Sequence, residues 1–322
     1  MWVSFSERPL RVEELCHALG VEIESTDLDP ENIPAIRTVV SSCLGLLKVG
    51  GSSSMVRLVH FTLQEDLSSD PILFNSPHST IAEVCLTYLN YRSVRDLSPT
   101  LDMAPSTMPF LEYASDYWGE HTRKGMTNNV KRLVRKLLDR FDEHISAQLL
   151  LLRYTRSHLW GLRFDGLGGP VGFTGLHGVA YLGIVEIIAA VFEMKEWDIN
   201  ASDCTGSTPL TWAAYNGHEE VVKMLLEREE VNLNHADSIC GWTPLRLAVL
   251  GASGGCQYTF GAKRCKSQPG RHLSCPDATL LGGYDGAEGG GKDAFGAKGG
   301  QPRPARHQRW PDATVFGGWG WA

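Results

Sequence analysis

The sequence predicts a mainly α protein, and the clearest sign is a unit that repeats in the middle of the chain. The unit opens at Thr174-Gly-Leu-His, Thr208-Pro-Leu-Thr and Thr243-Pro-Leu-Arg, at spacings of 34 and 35 residues. A period of this length is typical of stacked pairs of helices. Apolar residues at helical spacing also precede the repeats. The predicted segments are a small mixed domain (1–75), a helical spacer (76–165), the repeats (166–253) and a disordered glycine-rich tail (254–322).

The composition excludes several classes of protein. The chain has 322 residues and a net charge of −7, whereas proteins that bind nucleic acids through their phosphates are usually basic. Its eight cysteines form no Cys-x-x-Cys pair, which predicts reduced thiols. The first residues lack the basic start and apolar core of a signal peptide, and no apolar stretch is long enough for a membrane span. We therefore expect a soluble cytoplasmic protein.

The first segment combines two helices with a hairpin. Apolar residues of the first helix are Val12, Leu15, Cys16 and Leu19. Asp29-Pro-Glu predicts the start of a second helix, whose apolar residues are Ile33, Ile36, Val39, Val40 and Cys43. Two apolar runs, 46–49 and 55–61, flank a Gly-Gly-Ser-Ser-Ser stretch, which is typical of a hairpin with a flexible tip.

This order of helix, helix and two-stranded wing resembles a winged-helix domain. Trp2-Val-Ser-Phe-Ser-Glu-Arg-Pro-Leu, Glu13-Glu-Leu and Arg57-Leu-Val-His-Phe-Thr-Leu-Gln-Glu are similar to the winged-helix segment that follows the NTPase domain in NACHT-type ankyrin proteins. The resemblance implies a truncated relative that lacks the NTPase, since no Gly-x-x-x-x-Gly-Lys-Ser/Thr loop is present. The family pattern has an aromatic residue where this chain has Asp66. An inward-facing aspartate there would weaken packing.

A winged helix can bind DNA, but the charge of this segment argues against nucleic acid as a partner. Contacts to phosphates require cations. Residues 1–75 hold eleven acidic residues and only five basic ones, namely Arg8, Arg11, Arg37, Lys48 and Arg57. A packing or relay domain within a larger switch protein fits this charge better. A DNA-binding regulator remains the alternative hypothesis.

The spacer is predicted to contain three helices. Thr80 and Glu83 suit a capping box at the start of the first helix. The second helix follows a Pro-containing link and carries Phe110, Tyr113, Ala114, Tyr117 and Trp118. The third has apolar residues on one face and basic residues opposite, at Lys131, Arg132, Arg135 and Lys136. Such a helix can lie on a membrane or in an acidic groove, but we favour a packed helix with a solvated face.

The repeated unit has the features of an ankyrin repeat. In Thr-Pro-Leu the threonine caps a helix, the proline fits its first turn and the leucine points into the stack. Gly183 and Gly217 suit the turns between paired helices. Asp203 with Gly206, and Asp237 with Gly241, mark the hairpin fingers. The first unit has Gly175 in place of proline, which predicts a flexible start and an imperfect cap.

Two complete units and part of a third are marginal for stability, because one repeat cannot bury its own apolar face. We therefore expect the helical spacer to cover the open end of the stack.

The tail repeats its own sequence with the same period. Phe260-Gly-Ala-Lys recurs at Phe295, and Pro276-Asp-Ala-Thr recurs at Pro311, both after 35 residues. Plausible codons for these stretches, read one base later, encode Leu-Glu-Arg and Arg-Thr-Pro-Leu, which resemble the repeats. We interpret the tail as ankyrin-coding DNA translated out of frame, through a mutation or a gene-model error. The alternative is a genuine disordered tail, since residues 254–322 contain only four Val, Leu or Ile.

The sequence shows no enzyme motif, since a Gly-x-Ser-x-Gly nucleophile elbow is also absent, and it predicts no cofactor. His177 and His218 are expected to bond to loop backbone, as histidines at these ankyrin positions usually do. Cys204 and Cys240 lie on successive fingers and could approach each other, but a two-ligand metal site would be weak.

The predicted function is protein binding, as an ankyrin scaffold or regulatory fragment of a NACHT-type signalling protein. A truncated product with no function of its own is a further alternative. By resemblance to other ankyrin proteins, contacts are expected from finger and inner-helix residues. These are Thr205, Ser207, Trp212, Tyr215, Asn216, Ser238, Ile239 and Trp242. Exposed Trp and Tyr would be the anchors, because they combine a large contact area with a polar group.

Overall fold

The computed structural model describes residues 1–51, 54–69, 73–157, 170–194, 197–238 and 241–252. These residues are mainly helical, as the sequence predicts, and they fall within one unit that spans Met1–Ser274. Some sequence-based predictions concern residues outside the described ranges: the tail at 254–322, most of the glycine-rich link at 166–172, the end of the spacer at 158–165, the hairpin-tip residues 52 and 53, and the finger residues Ile239 and Cys240.

The first segment contains the expected order of helix, helix and hairpin. Its helices are α1 (Trp2–Phe5), α2 (Val12–Gly20), α3 (Ile36–Ser42) and α4 (Phe61–Ser69). Between α3 and α4, strand β1 (Leu47–Val49) pairs antiparallel with β2 (Val56–Leu58), and Lys48 lies opposite Arg57. Asp66 is exposed on α4, so it does not disturb an apolar core.

The second predicted helix begins later than expected. Asp29 does cap a turn, since its Oδ1 accepts a hydrogen bond from the Glu31 amide at 2.9 Å. That turn is a separate 3-10 helix, Pro30–Asn32, and α3 starts only at Ile36. The cause is Pro34, because a proline disfavours helical dihedrals in the residue before it. Ile33 accordingly has extended dihedrals, with φ −76° and ψ 110°.

The described part of the spacer, residues 76–157, contains five helices where the sequence predicted three: α5 (Pro77–Leu89), α6 (Arg92–Arg95), α7 (Phe110–Lys124), α8 (Asn128–Leu138) and α9 (Ile145–Ser157). The predicted capping box at Thr80 and Glu83 is wrong. Helix α5 starts one turn earlier, at Pro77, so Thr80 lies inside it. Proline fits this first helical position because its missing N–H has no partner there anyway. Glu83 instead accepts a hydrogen bond from the Thr127 hydroxyl at 3.0 Å.

The basic helix α8 has a packed apolar face and a solvated charged face. Its Val130, Leu133, Val134, Leu137 and Leu138 are all buried. On the opposite face Arg132 pairs with Glu24 at 2.9 Å and Arg135 with Glu193 at 3.3 Å. Exposed pairs of this kind contribute at most about 1 kcal/mol each. The structure therefore favours the solvated-face interpretation.

The repeats form adjacent helical pairs. Helices α10 (Gly175–Leu182) and α11 (Val185–Met194) make the first pair, α12 (Pro209–Tyr215) and α13 (Glu219–Leu226) the second, and α14 (Pro244–Ala252) opens the third unit. The inner helices α10, α12 and α14 contact one another in order. Gly183 and Gly217 turn the chain within each pair at φ +68° and +72°, in the left-handed region that favours glycine.

The spacer covers the open end of the repeats, as expected. A methyl group on Gly175 would lie 2.6 Å from the Leu138 carbonyl oxygen, and one on Gly178 would lie 2.6 Å from the Phe141 ring. On the neighbouring helix α7, the same addition at Gly119 would lie 2.8 Å from Leu182. The prediction that Gly175 makes a flexible start is therefore wrong. This glycine allows the repeat and the spacer to pack closely.

One continuous cluster of buried apolar residues runs from Trp2 to Ala248. The first segment joins it through Trp2, whose ring packs edge-on against Phe110 with a centroid distance of 5.7 Å. The domain boundaries drawn from the sequence remain predictions. None of the helices in the described part of the chain has the length and apolar character that a membrane span requires.

Candidate protein-binding surface

The finger before α12 is built around the Asp203 carboxylate. Its Oδ1 accepts hydrogen bonds from the Thr205 amide at 2.8 Å, the Thr205 hydroxyl at 2.5 Å and the Ser207 amide at 3.0 Å. Hydrogen bonds to a charged acceptor are stronger than neutral ones. Gly206 closes the turn at φ +76°. The carboxylate thus fixes the finger and directs the chain into the Thr208 cap of α12.

His177 ties this finger to the first repeat. Its Nδ1 lies 2.8 Å from the Thr174 hydroxyl, and its Nε2 lies 3.1 Å from the Ala201 carbonyl oxygen and 3.2 Å from that of Ser207. Burial lowers the pKa of the imidazole, so the ring is neutral and Nε2–H donates to the two carbonyls. The predicted structural role of His177 is confirmed.

His218, which follows the Gly217 turn in the second repeat, has the same kind of structural role. Its Nε2 donates to the Tyr181 carbonyl oxygen at 2.9 Å, as the sequence predicts. The ring lies so close to the turn that a methyl group on Gly183 would be 2.4 Å from Nδ1. Glycine is therefore needed at this turn for space as well as for its positive φ.

Trp212 is buried, contrary to the expectation that it is an exposed anchor. Its side chain is 3% exposed and its Nε1 donates to the Asp203 Oδ2 at 2.7 Å. The ring packs edge-on against Phe173 and Tyr181, at centroid distances of 5.8 and 5.4 Å. Trp212 is thus a core residue that supports the finger, and its removal would destabilise the fold.

Two of the predicted finger contacts are also buried. Thr205 is 3% exposed and Ser207 is 8% exposed. Their polar atoms bond to Asp203, and the Thr205 carbonyl oxygen accepts from the Ser238 amide of the next finger at 3.0 Å. Gly206 permits this approach, since a methyl group there would lie 2.4 Å from the same amide. These residues join successive fingers and present little surface to a partner.

The remaining predicted residues do reach the surface. Tyr215 and Asn216, at the end of α12, are partly exposed. The side-chain amide of Asn216 donates to the Trp212 carbonyl oxygen at 2.9 Å. On the next finger Ser238 is exposed and Trp242 is partly exposed. The Trp242 amide donates to the Asp237 carboxylate at 2.9 Å. Ile239 lies outside the described residues.

Two residues that the sequence-based prediction missed, Arg246 and Tyr181, belong to the same region. Arg246 of α14 lies over the Trp242 ring, 4.9 Å from its centroid. Tyr181 is partly exposed one repeat before Tyr215, and the 34-residue period could have identified it. Burial raises the Tyr181 pKa to about 12, with smaller contributions from Asp116 and Tyr215.

The finger cysteine is not activated. Burial and the Asp203 carboxylate raise the pKa of the Cys204 thiol to about 11, so it stays protonated at neutral pH. Thiolates, not thiols, bind metals and attack electrophiles. The predicted approach of Cys204 to Cys240 involves a residue outside the described ranges.

The repeated unit is a pair of helices with a glycine turn, followed by a finger that an aspartate caps, and it recurs with a 34-residue period. Residues 172–260 match the family of ankyrin repeats (3 copies). The ankyrin match includes both helical pairs, both described fingers and the start of the third unit. It confirms the part of the sequence resemblance that rests on the Thr-Pro-Leu motif. A comparison with curated proteins gives no match.

Proposed function

We propose that this chain binds a protein partner through the face made by the inner helices and fingers of its ankyrin repeats. Ankyrin repeats are general modules for protein–protein interaction. The observation that carries the proposal is that each of the three units has a partly exposed aromatic residue: Tyr181, Tyr215 and Trp242.

These aromatic residues suit an interface for a physical reason. Tyrosine and tryptophan lose little conformational freedom on binding and offer both apolar area and a polar group. Tyr181 and Trp242 are also held in place before a partner arrives. Tyr181 packs against the buried Trp212, and Trp242 lies under Arg246. Such preorganisation reduces the entropy lost on association.

The partner-contact residues proposed here differ from the set predicted from the sequence. Tyr181, Tyr215, Asn216, Ser238, Trp242 and Arg246 form the proposed contact face. Thr205, Ser207 and Trp212 support it from beneath, because all three are buried.

The wider context rests on the sequence resemblance. We propose a scaffold or regulatory fragment of a NACHT-type signalling protein, acting in the cytoplasm without an enzyme activity of its own. The winged-helix assignment of the first segment belongs to this proposal. It is supported by the observed order of α2, α3 and the β1–β2 hairpin. The charge of the segment, five basic against eleven acidic residues, favours a packing role over DNA binding.

A site-specific photo-crosslinker tests the proposed face. The crosslinking amino acid replaces Tyr215 in one version of the full chain and Lys223 in a matched control. Lys223 lies on the outer helix α13 of the same repeat and is well exposed. In native lysate we expect the probe at 215 to form a defined adduct with another protein, and the probe at 223 to form none. Equal adducts from both positions would contradict the proposal.

A further inference from the structure

Three metal-ligating side chains meet where the first segment contacts the spacer. Glu7 follows α1, His78 lies in the first turn of α5 and His121 lies in the last part of α7. One carboxylate oxygen and one nitrogen of each imidazole lie within 4.8 Å of one another. These three residues, called the Glu7 cluster below, come from parts of the chain that are far apart in sequence. Neither the repeats nor their fingers contribute to it.

The two histidines of the Glu7 cluster face each other through the same ring atom. Their Nδ1 atoms are 2.9 Å apart, and the rings are stacked at a centroid distance of 5.2 Å. A zinc ion bound to two imidazoles at about 2.0–2.1 Å in tetrahedral geometry requires nitrogens roughly 3.4 Å apart. The pair would therefore need to open by only about half an ångström to hold the ion.

Both rings are neutral, which is the charge state that metal binding requires. Burial lowers the pKa of His78, and the nearby Lys124 lowers it further. Burial lowers the pKa of His121 to about 3, with contributions from His78 and Lys124. Only neutral imidazole offers a nitrogen lone pair to a metal. Because the two Nδ1 atoms share a hydrogen bond, one of them carries the ring proton, which moves to Nε2 of that ring when an ion enters.

A tyrosine orients the deepest ligand. The Tyr113 hydroxyl lies 2.9 Å from Nε2 of His121 and accepts a hydrogen bond from the Glu7 amide at 3.1 Å. Burial raises the Tyr113 pKa, so the phenol stays neutral. A partner on the far nitrogen fixes the ring and its tautomer, which is how proteins usually support a metal-binding histidine. The same phenol therefore positions both His121 and the backbone of Glu7.

We propose that Glu7, His78 and His121 form a binding site for a zinc-class divalent transition metal ion. Two imidazoles and one carboxylate are a ligand set that zinc accepts, and they leave a fourth position for water. The ion would link the start of the chain to α5 and α7. Binding would stabilise the contact between the first segment and the spacer.

One contact competes with the ion. Lys124 donates to a Glu7 carboxylate oxygen at 2.6 Å. The Lys124 side chain is 45% exposed, so it can turn into solvent when a doubly charged ion takes its place. A partly exposed ion pair contributes far less free energy than metal coordination does. Without metal, the Lys124–Glu7 pair and the His78–His121 contact hold the same surfaces together.

The test measures binding of Zn²⁺ to the chelator-treated full chain by calorimetry and by its effect on thermal unfolding. We expect one tight equivalent and a higher melting temperature. His78→Gln and Glu7→Gln should each weaken zinc binding by about tenfold or more, since each removes a ligand. His60→Gln is the matched control, because His60 is exposed and lies outside the cluster. It should bind zinc as the wild type does.

Binding of Co²⁺ in place of Zn²⁺ distinguishes this site from one formed by cysteines, and the measurement needs no substituted variant. The proposed ligands predict visible d–d absorption with no sulfur-to-cobalt charge-transfer band, since no thiolate is bound. Such a spectrum at one equivalent would support the proposal even if His78→Gln fails to fold. A thiolate band would overturn it, as would zinc affinities that are equal in the wild type, His78→Gln and Glu7→Gln. If Zn²⁺ did not bind at micromolar concentrations, the proposal would also be overturned, and His78 and His121 would be only a hydrogen-bonded pair.

Discussion

Trp212 offers the sharpest test of how the finger is held. The structure buries its ring against Phe173 and Tyr181 and bonds its Nε1 to the Asp203 carboxylate. Replacing a buried tryptophan by alanine costs about 3–5 kcal/mol, from lost contacts and the cavity left behind. Trp212→Phe keeps most of the ring but removes the donor to a buried carboxylate, at a cost of about 1–3 kcal/mol. A domain with a total stability of about 5–15 kcal/mol should show both losses clearly.

The assay is urea denaturation followed by far-UV circular dichroism, with the transition midpoint compared at constant slope. Trp242→Phe is the matched control, because Trp242 is only partly buried and its finger contact to Asp237 uses the backbone amide. We expect the control to cost about 1 kcal/mol or less. If Trp212→Ala and Trp212→Phe both stayed within about 0.5 kcal/mol of the wild type, the buried position of Trp212 would be refuted.

Three further predictions concern the close packing at Gly175, the buried histidines and the surface position of Tyr215. Gly175→Ala should destabilise the chain by about 1–3 kcal/mol, because the added methyl would lie 2.6 Å from the Leu138 carbonyl oxygen. Gly51→Ala, with no atom within 4 Å of the added methyl, should leave the melting temperature unchanged. Burial lowers the pKa of His144 to about 4 and of His121 to about 3. The unfolded chain therefore binds more protons below about pH 6.5, and the free energy of unfolding should fall from pH 7 to pH 5. A flat profile in urea titrations at these pH values would contradict the neutral, buried histidines. Tyr215→Ala should leave the free energy of unfolding within about 0.5 kcal/mol of the wild type, and a larger loss would show that Tyr215 belongs to the core.

Periodic features of the chain were predictable from the sequence. The Thr-Pro-Leu motif, the glycine turns and the 34-residue spacing predicted the helical pairs. Helices α7 and α8 followed from apolar residues three and four positions apart, because a helix buries one face. The roles of His177 and His218 followed from their positions in the ankyrin pattern. In each case a local rule and the final packing agree.

The sequence-based predictions were wrong where contacts with residues far away in the sequence determine the position of a side chain. Trp212 was expected at the surface by resemblance to other ankyrin proteins, but the Asp203 carboxylate and two aromatic rings hold it inside. Gly175 appeared flexible in isolation, yet it is required by the Leu138 carbonyl of another segment. The Glu7 cluster could not be recognised at all. Its residues lie 71 and 43 positions apart and meet only after the first segment packs on α5 and α7.

We propose that the inner-helix and finger face of the ankyrin repeats binds a protein partner. The most direct measurement is the affinity of the full chain for the protein recovered by crosslinking at position 215. We predict that Tyr215→Ala weakens this affinity by about tenfold or more, equivalent to at least about 1.4 kcal/mol. Lys223→Ala, on the outer helix, should change it by less than about twofold. Equal affinities for the two variants would contradict the claim.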